Sequence, residues 1–481
     1  MQLPTPLYRT LALVTASALA QAAVAQSLSL QDAVDRAIEV SLVVEQGELQ
    51  LAQDQVTLRT TELSRYPSVS LGGSGGYQFG RTIDPVTNDF VSQEIGTNSF
   101  NLSAGVPLYQ GGLIRRSLAQ NRADIAASEA TLEDLRQDVA LDAAEAYLNV
   151  LLTEEQLLVA EANLEAASQA ARRADALARA GQLAEADRYE PAALAASREQ
   201  ESVIARNAVA SARLTLRQLL QLGSGETLNI PRPDSSIFED LELPAISPEE
   251  LFAGAVDRQP SVRAAMLSEA AAEAGIAVAR SGFLPTISAF GQLRTNASTQ
   301  AFSFPTFTGE TEIVDQTFII NGEPVVVGVP QAQQVQNPDP TYFDQLQENF
   351  GQSFGLQFNV PIFSNGQNQA AVERAELAVA QASLDVERER QVLENEIQQA
   401  YQAAVAARAE VEATERSLAF RREAFRVASR RAELGAGSAF DLTNAQILLE
   451  QAEVALLRAR YQFLFNAKVV DFYLGNPLTL D

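Results

Sequence analysis

The sequence predicts a mostly α-helical chain that also carries four short β-strands, arranged as two copies of one plan. Three observations support this fold class: a pattern that recurs 254 residues later, long segments without proline or glycine, and short segments of alternating polarity. The alternation is clear in SFNLSAGVPLYQGG, residues 99–112, and in its counterpart SFGLQFNVPIFSNG, residues 353–366. Pro107 and Pro361 mark the same point in the two segments. The chain is therefore predicted to be a tandem duplication.

The duplication predicts a first repeat at 26–222, a Pro-rich linker at 223–247 and a second repeat at 248–481. Each repeat is predicted to contain a helix, two strands, and then a long helical segment. The second repeat has 36 more residues between its strands (offsets of 254 and 218), which we predict to form an exposed loop within 295–349 because Gly, Pro, Asn and Thr are frequent there. The predicted first helices are 29–64 and 248–281, and the predicted strands are 68–79, 99–108, 286–294 and 350–363.

The first 25 residues are predicted to be a signal peptide. Arg9 precedes the apolar segment LALVTASALA, and Ala23-Val24-Ala25 has the small residues that signal peptidase requires. Cleavage would leave a mature chain that begins near Gln26, with no cysteine there to carry a lipid anchor. We therefore expect an exported protein.

Two helical segments are unusually long, since neither 113–180 nor 367–434 contains a proline or glycine. A helix of that length would reach about 100 Å. Leu118, Ile125 and Leu132 follow one another at steps of seven residues, which is typical of coiled-coil seams. The helices alone are equally compatible with an exported structural or adhesive coiled-coil protein.

The strands favour a second possibility, a shared membrane barrel. Segments of nine to thirteen residues with one apolar face have the length that a tilted strand needs to cross a bilayer. Four strands cannot close a barrel alone, so either several chains share one barrel or the sheet packs against helices outside the membrane. Proline and glycine are expected to end the second strand of each repeat and turn the chain into the long helix, at Pro107, Gly111, Gly112, Pro361 and Gly366.

The composition excludes several classes of function. The chain has no Cys and no His, so thiol and imidazole catalysis and the usual zinc sites are excluded. A net charge of −26 is unsuited to nucleic acid. The glycine-rich segment GGSGGYQFG at 72–80 lacks the Lys-Ser/Thr ending of a phosphate-binding loop. We expect no catalytic residues, no metal, no cofactor, no nucleic-acid partner and no transmembrane helix.

Several segments together resemble the TolC-like family of outer-membrane efflux and type I secretion channels. They are SLSLQDAVDRAIE at 27–39, the VPLYQGG and VPIFSNG transitions, the YP and LP dipeptides before the first strand of each repeat, and ELGAGSAFDLTNAQILLEQAE at 433–453. Their order and duplication cover nearly the whole mature chain. One departure is Ser41-Leu42, where the family often has Asn-Pro.

The resemblance implies an outer-membrane homotrimer in which three chains supply a twelve-stranded barrel surrounded by outer-membrane lipid. It also implies a helical tunnel through the periplasm, a periplasmic adaptor protein and an inner-membrane pump. Small molecules and polypeptides leave through the same kind of duct, so the sequence leaves the substrate open.

The helix–turn–helix segments at 179–192 and 434–446 would form the periplasmic tip, where the family closes its tunnel with acidic residues. By resemblance, Asp441 matches one such carboxylate and Asn444 stands where a second is common, while Asp187 and Glu190 are their counterparts in the first repeat. An equally good interpretation is helix capping, because Asp187 and Glu190 have capping-box spacing and Asp441 could be an N-cap. The two roles are compatible.

Overall fold

The protein is mostly helical with a smaller number of β-strands, as the sequence predicts. The computed structural model describes residues 28–83, 90–223, 226, 228–232, 235–238, 243–301, 303–320, 322–434, 436, 438–476 and 478–479. The predicted signal peptide lies outside the described residues. Within those residues, no helix is both long enough and apolar enough to cross a bilayer.

The same order of elements occurs twice along the chain. The first series is α1 (Leu30–Val40), α2 (Leu42–Leu63), β1 (Ser68–Ile83), β2 (Phe90–Gln110), α3 (Leu113–Arg179) and α4 (Tyr189–Leu219). The second is α5 (Pro248–Ala255), α6 (Pro260–Arg280), β3 (Thr286–Ser298), β4 (Thr306–Ile320), β5 (Glu323–Val335), α7 (Tyr342–Glu348), β6 (Gly351–Asn359), α8 (Gln367–Glu433) and α9 (Ala439–Leu474). Among the described residues, the elements β4, β5 and α7 have no counterpart in the first series.

The first helix of each series is interrupted, which corrects the prediction of continuous helices at 29–64 and 248–281. Ser41 separates α1 from α2 with an extended backbone, and its hydroxyl accepts a hydrogen bond from the Val44 N–H at 3.4 Å. In the second series the break lies before Pro260, which has no N–H to donate and disfavours helical backbone in the preceding residue. Ser41-Leu42 and Gln259-Pro260 lie 218 residues apart, so the break recurs although its residues differ.

One compact unit is helical and contains the described parts of Met1–Ala52 with Ala126–Leu267 and Ser383–Asp481. Its largest core packs Tyr147, Leu151, Leu216 and other apolar side chains from six segments of the chain. The Tyr147 hydroxyl donates to the Leu28 carbonyl at 2.9 Å, so its one polar group is satisfied inside the core. Leu132, one of the residues at seven-residue steps, is also buried.

The other unit, Gln53–Ile125 with Ser268–Ala382, contains the six strands of the described residues. Four of them form an antiparallel sheet in the order β1-β2-β3-β6. In the described part of the chain, β1 and β6 are the edges of this sheet and have no further strand beside them. In the part of the chain that the structure describes, strands β4 and β5 pair only with each other.

The insertion at 295–349 is not an irregular loop, which corrects that prediction. It contains the end of β3, the β4–β5 hairpin and the short helix α7. The runs TFII and VVVGV are rich in β-branched residues and flank Asn321-Gly322, a pair typical of hairpin turns. Every residue of β4 is exposed.

The strands of the four-stranded sheet begin and end at residues other than those predicted. Strand β2 starts nine residues before the predicted 99 and continues to Gln110, so Pro107 does not end it. Pro107 instead lies next to a bulge, and pairing resumes at Tyr109, because a proline without an N–H is tolerated at such an irregularity. Strand β6 ends at Asn359, before the predicted 363, and Pro361 lies just beyond its end.

Candidate channel site

One face of the four-stranded sheet is apolar. The register aligns Leu71, Leu102 and Leu293 across three strands, and one step along the face it aligns Val69, Ala104, Gly291 and Phe354. Phe354 is 90% exposed and is followed on the same edge by exposed Leu356 and Phe358. A face of large exposed apolar side chains has an unfavourable hydration free energy and indicates contact with lipid or protein.

The opposite face is mostly polar and is organised by side-chain hydrogen bonds. The hydroxyls of Ser70 and Ser103 lie 2.8 Å apart, and those of Ser74 and Ser99 lie 2.7 Å apart. The Gln292 amide donates to Asn101 Oδ1 at 2.7 Å, continuing the polar pairing onto β3. Alternation of this kind, apolar on one side and polar on the other, is typical of strands that separate lipid from an aqueous lumen.

Each strand-to-helix junction contains two consecutive residues with left-handed backbone. Gly111 and Gly112 have φ values of +61° and +78°, and Asn365 and Gly366 have values of +51° and +76°. The predicted glycines therefore have the conformation that glycine permits most easily. Sequence reasoning missed Asn365, although asparagine is one of the few residue types besides glycine that adopt left-handed backbone.

The first tip turn joins α3 to α4 through Gly181 and a short 3₁₀ segment, Glu185–Arg188. Asp187 lies inside that segment and Glu190 in the first turn of α4, both exposed. Arg188 occupies the N-cap position of α4 with helical backbone and makes no capping hydrogen bond. The capping-box interpretation of Asp187 and Glu190 is therefore wrong, since the helix starts beyond Asp187.

Ion pairs hold the first turn together. The Arg188 guanidinium contacts the Asp175 carboxylate at 3.2 Å across the turn and the Glu185 carboxylate at 3.3 Å. Arg179 pairs with the same Asp175 at 2.7 Å. Two arginines thus share one carboxylate at the end of α3.

The second tip turn has a different cap. Ser438 is the N-cap of α9, and its hydroxyl accepts a hydrogen bond from the Phe440 N–H at 3.1 Å. Asp441 therefore is not the N-cap, which corrects that interpretation. It lies in the first turn of α9, where a carboxylate interacts favourably with the helix dipole, and it lines a cleft with Glu423, Val427 and Arg431 of α8.

The four predicted gate residues are exposed but remain separate. Asp187, Glu190, Asp441 and Asn444 all have exposed side chains. Within the described residues, no hydrogen bond or ion pair joins any of them to another. They thus present polar groups at the two turns, and their role in a gate stays a prediction.

A buried ion pair near the turns was not predicted. Arg198 of α4 and Glu450 of α9 are each 6% exposed, and their side chains form an ion pair. Burial raises the pKa of Glu450. A hydrogen bond from Gln446 and the charge of Arg198 lower this pKa by a smaller amount, so the net shift is upward. Charged residues on helices are usually solvated, so the sequence carries no signal that distinguishes this pair.

A second region of perturbed ionisation lies on α3 and α8. Burial, together with the nearby carboxylates of Asp138, Glu389 and Glu396, raises the pKa of Asp134 to about 6. A backbone hydrogen bond involving Ser261 partly opposes this shift. Within the described residues, no group of carboxylates has a geometry that could hold a metal ion.

Two solved structures have the same fold as this chain. The chain superposes on CusC, which forms a transmembrane channel, with a TM-score of 0.71 and 19% identity over 94% of this chain and 93% of CusC. It superposes on the outer membrane protein VceC of Vibrio cholerae with a TM-score of 0.66 and 17% identity over 93% and 96%. At these identities the likeness shows a common fold.

The sequence matches the family described as outer membrane efflux protein over residues 30–221 and 253–476. These ranges cover most of the chain, so the chain belongs to the outer membrane efflux protein family. The predicted family is confirmed, as is the predicted location in the outer membrane with the helical portion in the periplasm. The family does not favour the alternative of an adhesive coiled-coil protein.

A curated relative is similar over a shorter range. The pyoverdine export outer membrane protein OpmQ of Pseudomonas putida is 27% identical over 237 residues, which are 48% of this chain and 49% of the relative. The match thus spans about half the length of that relative.

Proposed function

We propose that this chain forms a homotrimeric channel-tunnel, which is the exit duct of a tripartite efflux or type I secretion system. Three copies contribute four strands each to a twelve-stranded barrel surrounded by outer-membrane lipid, and the long helices form a tunnel through the periplasm. The observation that carries this proposal is the four-stranded sheet with one apolar face, one polar face and two unpaired edges.

The unpaired edges are the reason for proposing several copies. A strand edge in lipid leaves backbone N–H and C=O groups without partners, so membrane strands occur in closed barrels. Known barrels have eight strands or more, and one chain supplies four to this sheet. Closed three-fold symmetry brings β1 of one copy beside β6 of the next and leaves no free edge.

The duct is passive and takes its energy from partners. A periplasmic adaptor protein and an inner-membrane pump would deliver the small molecule or polypeptide, and family membership supports efflux as the process. We propose no enzymatic activity for the chain.

The entrance is proposed to be gated at the two helix turns. Three-fold symmetry would arrange three copies of Asp441 around one axis, with Asn444, Asp187 and Glu190 on the same turns. A ring of carboxylates favours cations and opposes anions. The cleft between Asp441 and the end of α8 gives α9 space to move against α8.

The proposal is tested by the oligomeric state and by conductance. Light scattering of detergent-solubilised protein should give the mass of three copies, and planar-bilayer recordings should give discrete current steps. Asp441→Ala should enlarge the steps or reduce their cation selectivity, with exposed Glu433→Ala at the end of α8 as the matched control. A monomer, or folded protein without current steps, would contradict the channel; steps unchanged by Asp441→Ala would contradict the gate alone.

A further inference from the structure

Arg294 is the only ionisable residue among the described side chains on the polar face of the four-stranded sheet. The register places it between Asn101 on β2 and Gly351 on β6. Along the same face, β1 presents serines, glycines and Gln78, and β6 presents glycine, serine and Gln357. In a chain of net charge −26, this face therefore carries one charge per copy, and that charge is positive.

The guanidinium of Arg294 is accessible. The residue is exposed, and within the described part of the chain it makes no ion pair. Its neighbour on β6 is Gly351, where an added Cβ would lie 3.4 Å from Arg294 Nε, so the absence of a side chain at that position leaves room beside the guanidinium. An arginine stays charged at every physiological pH and offers five N–H donors that suit phosphate and carboxylate oxygens.

We infer that Arg294 forms a ring of three cations in the barrel lumen, which is a site for small multivalent anions on their way out. This inference rests on the proposed function, because the polar face becomes a lumen only when three copies close the barrel. Symmetry then places the three guanidinium groups at one height along the axis. Rings of arginine or lysine are the means by which pores attract anions and phosphate.

The position of the ring along the barrel follows from the sheet. Arg294 is the ninth residue of β3, whose first residue, Thr286, pairs with Gln110 beside the Gly111 junction. It pairs with the first residue of β6, at the end of that strand away from the Gly366 junction. The ring therefore lies in the part of the barrel distant from the helices, where a solute would meet it last.

Pyrophosphate is the probe for this site. Current through single channels in a planar bilayer is measured while pyrophosphate is added to each chamber in turn. The wild type should be blocked in a dose-dependent manner, and Arg294→Gln should raise the half-blocking concentration about tenfold, as expected when three unit charges leave one ring. Arg294→Lys should keep most of the block because it keeps the charge.

Two further variants locate the effect. Gln292→Arg combined with Arg294→Gln moves the charge one step along the same face and should restore the block. Arg65→Gln makes the same change in net charge before β1, outside the sheet, and should leave the block unchanged. A half-blocking concentration that is equal in Arg294→Gln and the wild type would overturn the inference, as would a conducting wild type that pyrophosphate does not block. Folded wild type that never conducts would overturn the proposed function and this inference with it.

Discussion

The two strand-to-helix junctions have the same backbone but different surroundings. Gly111 and Asn365 lie 254 residues apart, as do Gly112 and Gly366, and both pairs are left-handed to a similar degree. A Cβ added at Gly111 would lie 2.6 Å from Leu284 Cβ and 2.9 Å from a backbone oxygen, whereas the equivalent residue, Asn365, carries an exposed side chain. The duplication thus preserves conformation more strictly than packing.

The same contrast holds in the helices. Arg198 in α4 and Ala452 in α9 lie 254 residues apart and both are buried, yet only the first carries a charge. Asp134 in α3 and Arg388 in α8 are likewise equivalent and have opposite charges. Equivalent positions can therefore be exchanged by mutation to test how far each repeat has adapted to its own neighbours.

The largest effect is expected from Arg198→Ala, which gives α4 the residue of α9 at the equivalent position. The variant should lower the free energy of unfolding by about 4 kcal/mol, because Glu450 would remain buried without its cation. Guanidinium unfolding in detergent, followed by helical circular dichroism, measures this change. Arg206→Ala, which removes an exposed pair with Glu161, is the control and should cost about 1 kcal/mol or less.

The same pair allows a rescue experiment. Arg198→Met combined with Glu450→Leu replaces both charges by apolar groups and should recover most of the lost stability. If Arg198→Ala unfolds at the wild-type denaturant concentration, the pair does not stabilise the packing of α4 on α9.

The second effect is expected from Gly111→Asn, which gives the first junction the residue of the second. The new Cβ would collide with Leu284, so the variant should lose about 3 kcal/mol of folding free energy. Gly112→Asn is the matched control: it is also left-handed but its added Cβ comes no nearer than 3.7 Å to Arg116, so about 1 kcal/mol is expected. Equal losses in the two variants would show that backbone conformation alone decides the cost.

A smaller effect is expected on the pH dependence of stability, from Asp134, whose equivalent in the second repeat is Arg388. The pKa of Asp134 is about 6 in the folded chain and 3.8 as its ordinary value, so its folded form takes up a proton more readily. Protonated Asp134 therefore contributes to the free energy of unfolding below pH 4, and this contribution is lost as the pH rises through 6. The contribution amounts to about 1 kcal/mol, since solvent screens part of the interaction. Asp134→Asn should abolish this part of the pH dependence and leave the chain more stable at pH 8.

Unfolding curves at pH 5 and pH 8 measure that difference. Asp385→Asn, which removes the carboxylate paired with Arg388 at 2.8 Å, is the control and should leave the Asp134 pH dependence in place. An unchanged pH dependence in Asp134→Asn would assign the effect to Glu396, whose pKa is also raised by burial.

The smallest effect is expected from Asn365→Gly, the reverse exchange at the junctions. Asn365 already has left-handed backbone, which glycine also adopts, and it is exposed, so stability should change by less than about 0.5 kcal/mol. The same denaturant titration applies. A loss as large as that of Gly111→Asn would mean that the Asn365 side chain itself stabilises the second junction.

Local chemistry predicted the long helices well and the two junctions in part, since Pro107 does not end β2. Segments without proline or glycine gave helices that end at Arg179 and Glu433, one residue before the predicted ends. The break at Ser41 was missed because no proline or glycine is present there, and an extended serine can both end one helix and cap the next. The hairpin at 306–335 was missed because its frequent Gly and Pro were taken as evidence for irregular structure, although its Val and Ile runs favour strands.

The candidate site could be predicted only in part. Asp441 was placed at the correct turn, but its expected capping role belongs to Ser438, three residues earlier. Which of several nearby oxygens caps a helix depends on where the turn ends, and spacing alone does not determine that. Arg294 could have been found, because the alternation in 286–294, apart from Phe290, already puts it on the polar side of the strand.

The equal lengths of α3 and α8, 67 residues each, restrict how this chain can evolve. An insertion in one helix would move every seam residue beyond it out of step with the other, unless a matching insertion arose in the second helix. Insertions and deletions in α3 or α8 should therefore be rare. Those that occur should affect both helices and should add or remove a nearly whole number of helical turns. The β4–β5 hairpin has no such counterpart, so changes in its length and sequence can accumulate without any matching event elsewhere.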